Sequence, residues 1–393
     1  MNTIFSLLDK SFELTRFPEQ LQHESWQAWD AADEYLIEHV ENTLSFETVS
    51  RIAIFNDDFG ALACWFATRI TAKGNPVDID WYSDSYVSRK SCERNLEHNM
   101  ALSQPHPHPV EFRDCMTLGD QQPDVILLKI PKTTALLEHQ LILLQQVVTP
   151  DTLIIAAGKV KSIQKSTLGL FEKYLGDTTT SLAKKKARLI FCRRAGDKQH
   201  TSPFPTVWQT DDKRLTIHNH ANVFARQQLD IGGRLLMNHL PDCRSKRVVD
   251  LGCGNGVIGL SVLLDYPDAE VFFVDESHMA IQSAMENVKY NMPERLSQCH
   301  FIHSNCLDEF ASIGHPSVDI VLCNPPFHQQ NAITDHIAWQ MFVDAKKYLR
   351  RGGQLRIIGN RHLDYPKKLK RLFGGYGVVT SDKKFSILSS LKR

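Results

Sequence analysis

Two short stretches hold residue types at spacings that could do chemistry. The first, Val248-Val-Asp-Leu-Gly-Cys-Gly-Asn-Gly256, is an apolar run ending in an acid and followed by glycines at 252, 254 and 256. Glycines lack a Cβ, so the backbone can approach a ligand closely, and a helical pattern from Val257 would gather free N–H groups at the same place. The second, Asp319-Ile-Val-Leu-Cys-Asn-Pro-Pro-Phe327, is an apolar run ending in Asn324, Pro325, Pro326 and Phe327. Its prolines restrict the backbone so that the Asn324 side-chain oxygen and the Pro325 carbonyl, both acceptors, can point into one cavity, while Phe327 offers a face for stacking. That set suits an amino group on a planar ring or amide. A plain Pro-Pro turn is the alternative for the tetrapeptide taken alone.

Two cofactors compete for the glycine loop. Gly254, Gly256 and Gly259, with Asp275 further on, match the dinucleotide pattern G-x-G-x-x-G followed by an acid. Asp250, however, would set a like charge against a pyrophosphate. S-adenosylmethionine (SAM) has no phosphate and carries a cationic amine that a carboxylate favours. The loop and the Asn-Pro-Pro-Phe stretch together favour SAM over a dinucleotide or a purely structural turn. No metal is expected: the nine cysteines include no C-x-x-C pair, there is no HExxH, and the PHPHP run at 105–109 reads as a stiff loop.

The elements that must hold these stretches follow an alternating pattern. After an acidic helical opening with Trp26, Trp29, Leu36 and Val40, residues Arg51 to Gly60 read as a buried strand entering a turn, and Ala61 to Ile70 as a helix. Val77 to Tyr82, Asp124 to Leu128 and Thr152 to Ala156 read as further strands between helical patterns, which implies a parallel sheet. Ala195 to Asp212 looks like a linker, and beyond it the same order begins again. At 393 residues the chain is long enough for two domains. Fixed offsets test whether one is a copy of the other. Ser85, Asn95, Asn99 and Met100 meet Ser277, Asn287, Asn291 and Met292; Arg51 and Gly60 meet Arg247 and Gly256; Asp124, Leu127 and Pro131 meet Asp319, Leu322 and Pro326. The small drift between offsets falls in loops, as expected of a duplication.

In a doubly wound sheet, ligands sit at the carboxyl ends of strands where the strand order reverses, so both motifs should face one crevice. The overall charge is balanced, 45 basic against 45 acidic residues, but its distribution is uneven. Residues 1–100 hold 8 Lys/Arg and 17 Asp/Glu, whereas residues 346–393 hold 14 and 2, and residues 159–194 hold 10 and 2. Two equivalent basic stretches suggest a phosphate-binding surface, with ordinary solvated surface as the alternative. Asp9, Lys10 and Glu13 stand where a signal peptide would need its apolar core, and the apolar runs fall short of the roughly 18 to 20 residues that cross a bilayer. A cytoplasmic protein without membrane association is expected.

The glycine loop, Phe272-Phe-Val-Asp275-Glu-Ser and Asn324-Pro-Pro-Phe327 at these spacings resemble class I SAM-dependent amino-methyltransferases. The stretches Asn222-Val-Phe-Ala-Arg226, Leu229-Asp-Ile-Gly-Gly233, Asn324 to Gln330 and Gly359 to Tyr365 are similar to those of the bacterial ribosomal RNA guanine-N2 methyltransferases of the RlmG/RsmC type, nearer RlmG. The resemblance covers most of residues 205–393. It implies an α/β protein of two tandem doubly wound, Rossmann-like methyltransferase domains: a degenerate copy at 1–200 for RNA recognition and a catalytic copy at 201–393. It implies SAM as cofactor and a guanine in ribosomal RNA as substrate, of the large (23S) subunit, with the small-subunit (16S) RNA or a protein glutamine as alternatives. A non-catalytic RNA-binding assembly factor would need a vestigial SAM loop, and the second copy is intact.

Carried over by residue, the resemblance gives Asp250, Gly252 and Gly254 to the methionine end of SAM, within a loop that includes Asn255 and Gly256. It gives Asp275 to the ribose, Asn305 to the adenine and Ala221 to Arg226, with Asn222 and Phe224, to a cover over the cofactor. Asn324, Pro325, Pro326 and Phe327 would receive a guanine that is unpaired or flipped out. The first copy keeps only Gly60 of the glycine loop and has Lys129-Ile-Pro-Lys132 opposite Asn324 to Phe327, so it is expected to bind no SAM. A monomer is expected.

Overall fold

The structure, a computed structural model, describes residues 2–19, 26–100, 109–119, 121–314, 317–326 and 332–393. The chain divides into two units, Met1–Pro203 and Phe204–Arg393. In the first, the order is β1 (Ile4–Leu7), β2 (Lys10–Glu13), α1 (Ala31–Thr43), β3 (Arg51–Phe55), α2 (Ala61–Phe66), β4 (Asp78–Tyr82), α3 (Tyr86–Met100), β5 (Val110–Arg113), β6 (Val125–Lys129), α4 (Thr134–Leu144), β7 (Leu153–Lys159), α5 (Lys165–Tyr174), β8 (Thr178–Thr180) and β9 (Ala187–Cys192). The second runs β10 (Thr206–Gln209), β11 (Thr216–Asn219), α6 (Ile231–Met237), β12 (Arg247–Leu251), α7 (Val257–Asp265), β13 (Glu270–Asp275), α8 (His278–Asn291), β14 (Cys299–His303), β15 (Val318–Cys323), α9 (Ala332–Tyr348), β16 (Leu349–Asn360), α10 (Tyr365–Phe373), β17 (Gly377–Ser381) and β18 (Phe385–Leu391).

Each unit is built on a seven-stranded sheet, ordered β5-β4-β3-β6-β7-β9-β8 and β14-β13-β12-β15-β16-β18-β17. The two orders are the same place for place. Six strands in each run the same way and one, β9 or β18, is reversed between its two neighbours, so the parallel sheet implied by the alternation is corrected to a mixed one. The central strands are mostly apolar along their buried length, as in Ile52 to Phe55 or Val248, Val249 and Leu251, because helices cover both faces; the buried Asp250 interrupts β12 near its end.

The duplication is visible in single hydrogen bonds. Asn95 Nδ2 donates to the carbonyls of Thr15 and Phe59 at 2.9 and 2.8 Å, and Asn287 Nδ2 donates to those of His218 and Asn255 at 2.9 and 3.0 Å. Asn99 Oδ1 accepts from Glu13 N as Asn291 Oδ1 accepts from Thr216 N. Asp124 holds Arg51 N at 2.9 Å, and Asp319 holds Arg247 N at 2.8 Å. In both units a small antiparallel hairpin, β1–β2 or β10–β11, is thereby tied to the third helix by two asparagines.

Three sequence readings change. The stretch read as a linker, Ala195 to Asp212, contains β10, since its hairpin partner β11 lies beyond it in the chain. The acidic opening begins with the β1–β2 hairpin, and α1 starts only at Ala31; Trp26 and Trp29 precede it, while Leu36 and Val40 lie on its buried face. Finally, α2 ends at Phe66, and Ile70 instead bridges to Pro76. Of the PHPHP run, residues 105–108 lie outside the described residues.

Candidate active site

The two chemical stretches lie side by side because their strands are neighbours. β12 pairs in parallel with β15, with Leu251 opposite Cys323, so the glycine loop and Asn324 emerge together at the carboxyl ends of adjacent strands. Past Leu251 the chain turns through two left-handed residues, Gly252 (φ +73°) and Gly254 (φ +54°), and a Cβ built on Gly254 would meet nothing within 4 Å. That bare backbone is open to a ligand. The loop is braced from beneath: Gly252 N and Cys253 N both donate to the Val274 carbonyl, and Gly254 N donates to Asp275 Oδ2 at 2.8 Å.

Gly256 serves a different purpose. With φ +80° at the start of α7, it packs so tightly on α8 that a Cβ would come within 2.8 Å of that of Ala284. Its counterpart Gly60 (φ +87°) stands in the same relation to Cys92, which explains why this glycine persists in the first unit. Asn255 also turns inward. It is buried, donates to Asn219 Oδ1 at 2.9 Å and accepts from Val257 N. Both residues shape the loop from its protein side.

Asp250 is buried at the end of β12, where Oδ2 accepts from Gly259 N at 2.9 Å and Oδ1 has no hydrogen-bond partner among the described residues. Burial pushes its carboxyl up to about 8; the Gly259 N–H works against this and the Asp275 charge reinforces it. A buried acid with an orphaned oxygen fits a cationic ligand group. Asp275, at the end of β13, accepts from Gly254 N and from Ser277 N at 2.9 Å; a carboxylate is an acceptor, the chemistry that hydroxyl donors require. Asn305 follows β14. Its side chain donates to Asp308 at 2.8 Å and its carbonyl accepts from Asp308 N, while Ser304 N ties the loop to the Asp275 carbonyl. From α9, Asp344 holds the same loop through Leu307 N at 3.2 Å.

Asn324 is half-buried; its Nδ2 donates to Asp230 Oδ2 at 3.2 Å, and its Oδ1 is buried with no partner among the described residues. Pro325 is buried and Pro326 exposed. Phe327 lies outside the described residues. Ahead of β12, Asn222 is half-buried and Phe224 is 61% exposed, within a turn containing the left-handed Ala225. Asp230 was not among the residues expected at the site, although its sequence signal is present: an acid directly before a helical run, the usual N-cap. No group of three or more His, Cys, Asp or Glu placed to hold a metal occurs among the described residues.

In the first unit the corresponding position is filled. Lys129, at the end of β6, is buried and reaches Asp33 Oδ1 at 2.5 Å and Asp30 Oδ1 at 3.2 Å. Although burial opposes its charge, these carboxylates hold the Lys129 ammonium well above its ordinary value. Asp57 is buried and accepts from Ala63 N in the first turn of α2 at 2.9 Å, and Asn56 Nδ2 donates to the Lys129 carbonyl. The basic run nearby is also partly neutralised: Lys184 pairs with Glu38, Lys185 with Glu34 and Lys173 with Glu138. In the second unit α10 buries Tyr365, Leu369 and Phe373 and turns Lys367, Lys370 and Arg371 outward.

Comparison with known proteins agrees with this division. Residues 2–196 match the RLMG N-terminal domain family, and residues 214–389 the methyltransferase small domain family. A ribosomal RNA large subunit methyltransferase G of Pseudoalteromonas atlantica is 58% identical over 395 residues, covering 100% of both chains. One from Klebsiella pneumoniae is 49% identical over 381 residues, covering 97% of this chain and 96% of that one. A T. thermophilus 16S rRNA N2 methyltransferase, RsmC, solved with AdoMet and guanosine, shares the fold over 100% of this chain and 98% of its own, with a TM-score of 0.75 at 18% identity. This chain belongs to the ribosomal RNA large subunit methyltransferase G family.

Proposed function

We propose that the chain transfers the methyl group of SAM to the exocyclic N2 amino group of a guanine in 23S ribosomal RNA. The observation that carries this reading is the buried Asn324 Oδ1, without a hydrogen-bond partner among the described residues, beside the open glycine loop. The Asp250 carboxyl and the Gly252–Gly254 backbone would hold the methionine end of SAM, and Asp275 its ribose hydroxyls. Asn305 would hold the adenine, with Asn222 and Phe224 as cover. When bound, SAM supplies an already activated methyl group on its sulfonium. The protein's task is then positioning, because the guanine N2 lone pair is delocalised into the ring. Asn324 Oδ1 and the Pro325 carbonyl accept the two amino hydrogens, which aims that lone pair at the methyl carbon. Phe327 would stack on the base, which has to leave its helix to arrive there.

The second unit carries the chemistry, and the first, whose equivalent site is filled by its own side chains, contributes to RNA recognition. Within the RNA surface, Lys370 and Arg371 on α10 meet phosphates. Lys184 and Lys185 contribute less, since Glu38 and Glu34 already answer their charge. No helix among the described residues is long and apolar enough to cross a membrane. Action on ribosomal RNA would place the chain in the cytoplasm, as a monomer. The purified chain, given SAM and protein-free unmethylated 23S RNA, should form N2-methylguanosine on nucleoside digestion and mass spectrometry. Methyl on any other atom, or only on a co-incubated protein's glutamine, would refute the assignment.

A further inference from the structure

Asn324 can accept an amino hydrogen only if its amide is turned the right way, and one neighbouring side chain determines that turn. Nδ2 of Asn324 lies 3.2 Å from Oδ2 of Asp230. A carboxylate oxygen accepts and does not donate, so the flipped amide would set two acceptors against each other. The contact therefore fixes Nδ2 on the Asp230 side and leaves Oδ1 buried with no hydrogen-bond partner among the described residues.

Asp230 is itself held. It is the N-cap of α6, where the same Oδ2 accepts from Gly233 N at 2.9 Å. Gly232 then keeps the neighbourhood clear: a Cβ there would come within 2.9 Å of Asp230 Oδ2 and stand 3.6 Å from Asn324 Oδ1. The first unit shows what the same frame does with another donor. Asp30, the N-cap of α1, accepts from Lys129 Nζ at the position equivalent to Asn324. An ammonium has no acceptor, so that copy of the frame cannot receive an amino group.

From this geometry we propose that Asp230 is a positioning residue for methyl transfer, acting through Asn324, with Gly232 as the residue that leaves room for the pair. The proposal rests on the function proposed above. It assigns Asp230 no contact with SAM, so cofactor affinity and turnover should separate.

The test uses the full chain with unmethylated 23S RNA. Asp230→Ser keeps a hydroxyl N-cap for Gly233 N but is too short to hold Asn324; Asp230→Asn keeps an oxygen that can serve both donors. We expect Asp230→Ser to lower kcat by roughly 10- to 100-fold through misorientation, with SAM Kd, RNA KM and Tm close to those of the wild type. Asp230→Asn should recover most of the loss. In an Asn324→Ala background, Asp230→Ser should remove less than about twofold more, because residues that act through one another are not additive. Gly232→Ala, which crowds the Asp230 Oδ2 shared by Gly233 N and Asn324 while keeping the Asp230 side chain, should reproduce the kcat loss and provides a second test if Asp230→Ser fails to fold. Wild-type turnover in Asp230→Ser and Gly232→Ala, or an equal loss with and without Asn324, would overturn the proposal while leaving N2 methylation standing. A wild-type chain that forms no N2-methylguanosine would overturn both.

Discussion

Lys129 and Asn324 occupy one position in two copies of the same frame. Each follows the residue that pairs with the end of its unit's first central strand, Leu128 with Phe55 and Cys323 with Leu251. Each donates to the acid that caps the helix before that strand, at 3.2 Å in both units. In one copy the donor is an ammonium closed in by carboxylates, and in the other an amide with a spare acceptor. On the function proposed above, that difference separates a filled position from one that can receive a base.

Asn324→Ala should therefore lower methyl transfer by at least ~10²-fold, since the amino group loses its orienting acceptor. SAM affinity should stay near wild type because the proposal gives this residue to the base and not to the cofactor. Steady-state turnover and calorimetry on the same preparation check both halves of the expectation.

Asp275→Ala should do the reverse. It removes an acceptor from the ribose position and the brace on Gly254 N, and should weaken SAM binding by roughly 1.5 to 3 kcal/mol. Unchanged affinity in calorimetry would remove Asp275 from the cofactor site.

Asp250 makes SAM binding proton-linked. Its carboxyl is raised to about 8 in the free protein, so it holds its proton below that pH. A cationic amine favours the ionised form and lowers that value, so binding near pH 6.5 should release up to about one proton and tighten as pH rises towards 8. The same raised value means that the free fold gives up stability from this group as pH climbs from about 4 to about 8. Calorimetry in buffers of different ionisation enthalpy measures the release, and Asp250→Asn should abolish it.

Lys129→Met should destabilise the first unit by about 3 to 5 kcal/mol, because it leaves Asp30 and Asp33 without their buried partner. Burial already pushes the Asp33 carboxyl up to about 7, against the pull of Lys129. The loss should appear in the denaturation midpoint, and calorimetry on the wild type should count one SAM per chain. A second SAM would contradict the expectation that the first copy, which keeps only Gly60 of the glycine loop, binds none.

Lys370→Ala with Arg371→Ala should reduce the slope of log affinity against log salt for 23S RNA by about two, whereas Lys184→Ala with Lys185→Ala should change it little. Equal slopes for the two pairs would contradict the assignment of phosphate contacts to α10.

Much of the frame was legible in the sequence. The strand-to-glycine loop, the Asn-Pro-Pro strand end and the asparagines 95, 99, 287 and 291 stand at spacings that the duplicated fold requires. What stayed hidden depended on contacts distant in sequence. Gly256 and Asn255 read as ligand-facing, but one packs on Ala284 and the other bonds Asn219, neither of which a loop motif reveals. The lysines at 184 and 185 read as open charge until α1, about 150 residues earlier, brings Glu34 and Glu38 against them. Asp230 was given no role from the sequence, because its contact with Asn324 exists only once β15 sets that residue beside it. The antiparallel strands β9 and β18 are as apolar as their parallel neighbours, so direction could not be read from composition.

The most direct measurement is nucleoside mass spectrometry of 23S RNA from a strain lacking this gene, mapped by fragment. The account predicts that one N2-methylguanosine disappears, returns with the wild-type gene and does not return with Asn324→Ala. An unchanged N2-methylguanosine content in the large-subunit RNA of that strain, or restoration by Asn324→Ala at the wild-type level, would contradict it.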